Sequence, residues 1–262
     1  AGSSGGSAEG GKGGATGAAG GSPTAGSSGT ADEGGAPSCV PNGAEKCDGA
    51  DNDCNDVIDD GCPQGINTVF ESELATIGDS PGGSAFSEDC GEGEILTGVQ
   101  VAMGPFLTQV QGICRKLGVA LTTNAMGYDV ALGAEAMLAP YPATTKDATT
   151  AMKCGANEAV VGVGVAQQNL QSDTGTFVII PEVWLSCAKL SLVPSGDDDY
   201  YLDWQDAYDL DSVFGTMSDN SSWYEYSEVP TGQVATRLLG ASGAWLDRLG
   251  FGVSNTLVTL VR

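Results

Sequence analysis

Apolar residues alternate with small or polar residues over most of the last two-thirds of the chain, a two-residue period that is typical of β-strands. Ile95, Thr97, Val99 and Val101, for example, share one parity. Glycines interrupt these segments where turns or close backbone contacts are expected, and no amphipathic helix of ordinary length is indicated. The pattern therefore predicts an all-β fold. Its strands are predicted at residues 66–70, 84–90, 115–121, 148–154, 188–193 and 223–229.

The strand pattern is repeated within the chain. Residues 90–114 and 229–253 align without a gap, which places Gly93 on Gly232 and Gly104 on Gly243. A looser third copy runs over 154–187, with extra residues before its second half. Three copies predict a domain with internal three-fold repetition. The copy nearest the C-terminus lacks a following strand, and we expect residues 66–70 to supply it, so that the two ends of the domain close one sheet.

The cysteines follow the repeats. Cys90 aligns with Val229 and Cys114 with Val253, so both cysteines are replaced together by an apolar residue, which indicates that they are disulfide partners. The chain has 8 cysteines, an even number that favours an oxidising compartment, at the outer cell surface or outside the cell. The disulfides predicted from the repeats are Cys90–Cys114 and Cys154–Cys187.

Composition excludes several classes of function. The chain holds 34 Asp and Glu against 10 Lys and Arg, a net charge of -24, which repels nucleic acid and anionic lipid. It has no histidine, so Ser-His-Asp and Cys-His catalysis are excluded. No apolar run approaches the ~20 residues of a transmembrane helix. No nucleophile motif or phosphate-binding loop was found, and we therefore expect no enzymatic activity.

Three domains are predicted from changes in composition. Residues 1–37 are Gly, Ser, Ala and Thr with almost nothing apolar, which predicts a flexible, disordered tether. Such tethers commonly follow the acylated cysteine of bacterial lipoproteins, and a secreted linker without lipid is the alternative. Residues 38–64 form a disulfide-rich acidic module, and residues 65–262 form the three-repeat domain.

The repeats resemble a known family. The pattern C-x-x-G-x-x-x-x-G, followed by apolar alternation and a second Cys, is similar to the repeats of vitelline membrane outer layer proteins. The segment 82–86, Gly-Gly-Ser-Ala-Phe, also resembles jacalin-type lectins. Both resemblances imply a β-prism, in which three sheets surround a pseudo-three-fold axis. They imply architecture rather than activity, because β-prisms carry several functions.

The acidic module is a candidate Ca²⁺ site. Set against an EF-hand loop, its residues supply oxygen ligands at alternate positions, although Asp56 replaces the usual Gly and Cys62 the usual Glu. The stretch also resembles a short metal-binding motif of surface proteins from myxobacteria and some methanotrophs. Zinc or iron bound by thiolates, and a solvated acidic loop without metal, are the alternatives. The candidate ligands are Asp51, Asp53, Asn55, Val57, Asp59 and Asp60.

Four cysteines of this module are predicted to form two disulfides. The pairing Cys39–Cys54 with Cys47–Cys62 is one of three possible connectivities, and the sequence does not choose among them.

A second candidate surface lies between the second and third repeats, where aspartates and aromatic residues are interleaved. Carboxylates accept hydrogen bonds from sugar hydroxyls and aromatic rings stack on sugar faces, so this composition suits carbohydrate. It equally suits a protein interface, or a loop whose aromatics attach it to the domain. Trp184 and Trp245 are expected to pack in the core, and Asp247 to be a solvated strand residue. The candidate ligand-binding residues are Asp199, Tyr200, Tyr201, Asp203, Trp204 and Tyr208.

Three functions follow, in order of preference. The first is a secreted or surface-tethered, calcium-stabilised, lectin-like protein that binds an extracellular glycan or a surface protein. The second is a structural subunit of an extracellular coat or filament, which would self-assemble. The third is a glycan-cleaving enzyme that uses paired carboxylates.

Overall fold

The computed structural model describes residues 41, 50–58, 60–78, 82–121, 128–143, 147–173, 175–195, 200–215 and 222–260. Contacts divide the chain into two units, Ala1–Ser38 and Cys39–Arg262, and the first unit lies outside the described residues. The described part contains 13 strands and no helix, and therefore no candidate membrane-spanning helix. The strands are β1 (Pro63–Glu73), β2 (Ser84–Asp89), β3 (Glu94–Met103), β4 (Leu107–Leu121), β5 (Tyr128–Met137), β6 (Thr149–Lys153), β7 (Glu158–Ser172), β8 (Gly175–Pro194), β9 (Tyr200–Asp209), β10 (Val213–Phe214), β11 (Trp223–Glu228), β12 (Gln233–Ser242) and β13 (Leu246–Leu260).

The strands form three antiparallel sheets, each built around the hairpin of one repeat. Sheet I has the order β5-β4-β3-β6, and sheet III has the order β1-β13-β12-β2. Sheet II has the order β9-β8-β7-β11, with the two-residue β10 also pairing with β8. This arrangement confirms the predicted all-β fold and the β-prism with three pseudo-symmetric repeats.

Each sheet receives an outer strand from the segment that leads into another repeat. The strand before the second repeat, β6, pairs with β3 of sheet I, and the strand before the third, β11, pairs with β7 of sheet II. The strand before the first repeat, β2, pairs with β12 of sheet III and so completes the cycle. The exchange ties the three repeats together through backbone hydrogen bonds, so no repeat forms its sheet alone.

The two ends of the domain close sheet III, as predicted. β1 pairs with β13 along most of its length, with Ile66 opposite Val258 and Phe70 opposite Ser254. The separate strands predicted at 115–121 and 188–193 were wrong in one respect, because these residues continue β4 and β8 rather than starting new strands. The chain stays extended through both cysteines, since no residue there imposes a turn.

Both predicted repeat disulfides are confirmed, and each joins two sheets. Cys90, which follows β2 of sheet III, is bonded to Cys114 in β4 of sheet I, with Cα atoms 5.8 Å apart. Cys154, which follows β6 of sheet I, is bonded to Cys187 in β8 of sheet II, with Cα atoms 5.5 Å apart. The third junction, between sheets II and III, has a buried valine pair, Val229 and Val253, in the main core cluster.

The turn that follows the first residue of each repeat differs between the repeats, because local hydrogen bonds stabilise it in two of the three. In the first two repeats the glutamate side chain accepts a hydrogen bond from the glycine N–H, at 2.9 Å for Glu94 with Gly91 and 2.7 Å for Glu158 with Gly155. The third repeat has Pro230 at the glycine position. Because proline has no N–H to satisfy, a glutamate is not needed there, and the chain carries Gln233 instead.

Two apolar clusters fill the domain. The main cluster contains the same aligned position of all three repeats, Val99, Val163 and Leu238, each fully buried. Burial of such a side chain contributes about 1.5–3 kcal/mol. A second cluster contains an apolar residue near the start of each repeat hairpin, one residue late in each of β4 and β8, and one residue from each of the outer strands β1, β5 and β9. Its buried members are Ile66, Ile95, Leu117, Val130, Ala159, Leu190, Leu202 and Val234.

Candidate functional site

The turns that join the central strands of sheets I and III share one geometry and bring aromatic rings together. The Gly104 N–H donates to the Phe106 carbonyl at 3.1 Å, and the Gly243 N–H donates to the Trp245 carbonyl at 2.8 Å. The Trp245 ring meets Phe106 edge-to-face, with centroids 5.2 Å apart, and it also meets Phe177 of β8 at 6.3 Å. Trp245 is half-buried rather than a core residue, which corrects the expectation from the sequence.

Asp247 lies two residues after this tryptophan and is buried, with only 5% of its surface exposed. The expectation of a solvated strand residue was therefore wrong. Burial of a carboxylate is costly unless polar partners surround it, so its position is not explained by apolar packing. The residue lies where the backbone of two chain segments comes close together.

Two glycines make that close approach possible. Gly83 has a φ of +77°, and a Cβ placed on it would lie 2.2 Å from Oδ2 of Asp247. A Cβ on Gly243 would lie 3.7 Å from the same oxygen and 3.5 Å from the Gly83 Cα. Both glycines are exposed, so the carboxylate lies just beneath a surface of backbone. We define the apical site as Gly83, Gly243, Trp245 and Asp247.

The other repeats do not reproduce this site. In the first repeat the position of Asp247 is held by Thr108, and the position of Gly83 by Asp147. These two side chains bond to each other, with Thr108 Oγ1 donating to Asp147 Oδ2 at 2.7 Å. In the second repeat the same positions are Pro181 and Ser222, without a carboxylate. The fold therefore does not require the arrangement that surrounds Asp247.

The candidate ligand-binding residues from the sequence lie along β9, an outer strand of sheet II, and Asp199 lies outside the described residues. Tyr201 and Tyr208 are exposed, at 45% and 43%, whereas Trp204 is half-buried against the second core cluster. Tyr200 and Asp203 are half-buried, and Asp203 accepts a hydrogen bond from the Trp204 N–H at 2.9 Å. Their role in ligand binding stays a prediction.

Tyr208 is held by an interaction with the turn of the second repeat. Its hydroxyl donates to Glu158 Oε2 at 2.5 Å, and this hydrogen bond, with burial as a second cause, raises the pKa of Tyr208 above its ordinary value. Glu158 also accepts from Gly155, so β9 is tied to the start of β7. The ring of Tyr208 remains available on the surface.

The candidate metal ligands form a hydrogen-bonded loop. Oxygens of Asp51 and Asp53 accept from the Asn55 backbone N–H at 3.2 and 3.1 Å. The Asn55 side-chain amide donates to Asp53 at 3.3 Å and to Asp60 at 3.0 Å, and its oxygen accepts from the Val57 N–H. Asp59 lies outside the described residues.

Among the described residues, no group of three or more Cys, Asp or Glu side chains converges as a metal site. The side-chain amide of Asn55 lies between carboxylates of this loop. Calcium binding therefore stays a prediction. Cys54 and Cys62 are both disulfide-bonded, while Cys39 and Cys47 lie outside the described residues.

No family model matches the chain, and no curated protein matches it. Among solved structures, it is similar to an artocarpin–mannotriose complex at 10% identity and a TM-score of 0.41, covering 71% of this chain and 97% of that one. A single-chain recombinant jacalin gives 11% identity and a TM-score of 0.43, with 71% and 96% covered. A mannose-specific jacalin-related lectin from Morus nigra, in complex with mannose, gives 17% and 0.40, with 71% and 94% covered. Values this low bear on no residue's role and on no ligand.

Proposed function

We propose that this protein is a lectin-like protein that binds carbohydrate at the apical site. The observation that supports the proposal is the buried carboxylate of Asp247 beneath exposed glycine backbone and near the half-exposed ring of Trp245. A carboxylate accepts hydrogen bonds from paired sugar hydroxyls, and backbone N–H groups add donors. An aromatic ring at the rim offers a face for the apolar side of a sugar.

The proposal includes an extracellular location and calcium stabilisation. The two inter-sheet disulfides support the location, because such bonds persist in oxidising compartments. The crowded carboxylates of the acidic loop support a counter-ion, because like charges at short range repel one another. We propose no enzymatic activity. Self-assembly into a coat or filament stays a prediction, which sedimentation at high concentration with and without Ca²⁺ would test.

The test is binding of the purified full chain to a broad array of glycans and bacterial polysaccharides, with and without Ca²⁺. Asp247→Asn keeps the side-chain size and removes the charge, and we expect affinity to fall about ten- to a hundredfold, the value of a hydrogen bond to a charged group. Trp245→Ala should also weaken binding. The matched control is Asp147→Asn, which changes the aligned region of the first repeat and should leave affinity unchanged.

Two outcomes would overturn the proposal. If no glycan binds, the lectin proposal is wrong and the structural alternative is favoured. If Asp247→Asn binds normally while Trp204→Ala does not, the site lies on β9 instead of at the apex. Near-ultraviolet circular dichroism of each variant checks that the fold is intact.

A further inference from the structure

The outer face of sheet II carries an aromatic surface that rests directly on backbone. A Cβ on Gly164 would lie 2.0 Å from the Trp184 ring, and a Cβ on Gly162 would lie 2.1 Å from the Tyr226 hydroxyl. The two glycines of β7 therefore leave room for these side chains to lie against the sheet. Trp184 is half-exposed on this face, and its expected place in the core was wrong.

Two of these rings form the corner of a groove. Trp184 and Tyr224 meet edge-to-face, with centroids 6.0 Å apart and planes at 62°, and Tyr224 is 66% exposed. The groove has a volume of about 270 Å³, and no lysine or arginine is among the described residues that line it. Its lining residues are Glu182, Trp184, Asp209, Leu210, Ser212 and Tyr224.

A chain of hydrogen bonds holds one carboxylate of the groove in place. The Tyr226 hydroxyl donates to Ser186 Oγ at 3.0 Å, and Ser186 Oγ in turn donates to Oδ1 of Asp209. Because these bonds orient Asp209 from below, the carboxylate is pre-positioned at the groove wall. Glu182, which lies on β8, supplies the second negative charge of the groove.

The three-fold repetition provides an internal comparison. At the aligned positions of Trp184, Tyr224 and Glu182, sheet III carries Gly250, Ala85 and Arg248, and its groove of about 340 Å³ has a basic residue. Sheet I carries Gln111, Thr149 and Gln109. There the two glutamine amides donate to backbone carbonyls, at 2.6 Å to Leu138 and 2.7 Å to Pro142. The scaffold therefore accepts non-aromatic, non-acidic residues at all three positions.

We infer that the sheet II groove binds an organic cation, an alkylammonium or guanidinium group of a ligand. Aromatic faces attract such cations through the ring quadrupole, and two carboxylates add charge complementarity. The net charge of -24 adds a long-range attraction for cations. This inference does not rest on the proposed function, since the groove shares no residue with the apical site.

The same chemistry occurs elsewhere within the chain. The guanidinium carbon of Arg237 lies 4.3 Å from the ring centroid of Phe70, while its nitrogens pair with Glu73 and Asp89. An aromatic ring and two carboxylates thus hold one cation on sheet III. In the sheet II groove the rings and carboxylates are present without a basic side chain among the described lining residues.

The test uses choline chloride as the probe, in calorimetric titrations of the full chain at constant ionic strength. Its control ligand is dimethylbutanol, the neutral isostere in which carbon replaces the nitrogen. We expect the isostere to bind at least about tenfold more weakly than choline. Equal affinity for the two would overturn the proposal, because binding would then be apolar and not cationic.

The variants copy residues that the scaffold already holds at the aligned positions. Trp184→Gln and Tyr224→Ala should each weaken choline binding about tenfold, and Glu182→Gln several-fold. The control, Phe70→Ala, removes an aromatic ring outside the groove and should leave binding unchanged. If Trp184→Gln fails to fold, the exposed Tyr224→Ala variant decides, and unchanged binding by a folded Tyr224→Ala overturns the inference. Choline binding absent from the native chain overturns it as well.

Discussion

Replacement of Val229 and Val253 together by cysteine should create a third inter-sheet disulfide and stabilise the domain. The two valines occupy the aligned positions of Cys90 and Cys114, and both are buried, at 1% and 0% exposure, in one core cluster. The backbone around them is matched, because the Val229 N–H donates to the Val161 carbonyl at 2.8 Å as the Cys90 N–H does to that of Thr236. Backbone that accepts a disulfide at one junction should accept it at the other.

The magnitude follows from the loop that the bond would close. The first-repeat disulfide has a sequence separation of 24, and the ungapped alignment gives the valine pair the same separation. Loss of chain entropy in the unfolded state over such a loop is worth about 3 kcal/mol. Exchange of two packed valines for cysteines costs about 1 kcal/mol, which leaves a net gain of about 2 kcal/mol.

The assay is urea denaturation of the double variant, with the content of free thiols measured in denaturant. A gain of about 2 kcal/mol raises the midpoint by about 1 M at a slope of about 2 kcal/mol/M. The single variants, each with one thiol, should show no gain and a small loss. If the double variant keeps two free thiols, Val229 and Val253 do not form the third junction. If the bond forms without a gain in stability, the junction stands and the estimate from loop entropy is wrong.

Three further outcomes are expected. Gly83→Ala should abolish carbohydrate binding and destabilise the domain by about 1–3 kcal/mol, because the new Cβ would lie 2.2 Å from Oδ2 of Asp247 at a φ of +77°. The control Gly65→Ala, whose Cβ would have no atom within 4 Å, should change neither property. Denaturation measures the stability of each variant, and a glycan-binding assay measures its affinity. Burial raises the pKa of Tyr226 above 10.0, so stability should fall as pH rises from 10.0 towards the folded-state pKa, and Tyr226→Phe should flatten that fall in pH-dependent unfolding. Removal of Ca²⁺ by a chelator should lower the melting temperature, and Asp51→Ala should remove the effect; a chelator without effect on the native chain would contradict calcium stabilisation.

Much of the apical site and of the sheet II groove could not be predicted from the sequence. Trp184 lies opposite Gly164 in the sheet, and a glycine gives no indication of which face is buried, so strand periodicity did not place the ring on the outside. From the sequence, Asp247 was expected to be an ordinary solvated strand residue. Its burial could not be predicted, because it depends on the segment around Gly83, more than a hundred residues earlier in the chain. The glycine pair at 82–83, near the start of β2, was interpreted from the sequence as a family resemblance and not as a contact with Asp247.

The strands of this protein, its repeats and the two disulfides within the repeats could be predicted from the amino-acid sequence. The two-residue period determined strands, the repeats determined three equivalent sheets, and the joint replacement of two cysteines identified a disulfide, because these properties depend on neighbouring residues or on aligned copies. Strand pairing and the set of side chains on each sheet face depend on contacts between distant segments, and therefore needed the three-dimensional structure. β6, β11 and β2 could each have paired within the repeat that follows them in the chain. Instead each pairs with a strand of another repeat, because the three hairpins pack around one core. The burial of Asp247 and the aromatic groove of sheet II both depend on this pairing of strands.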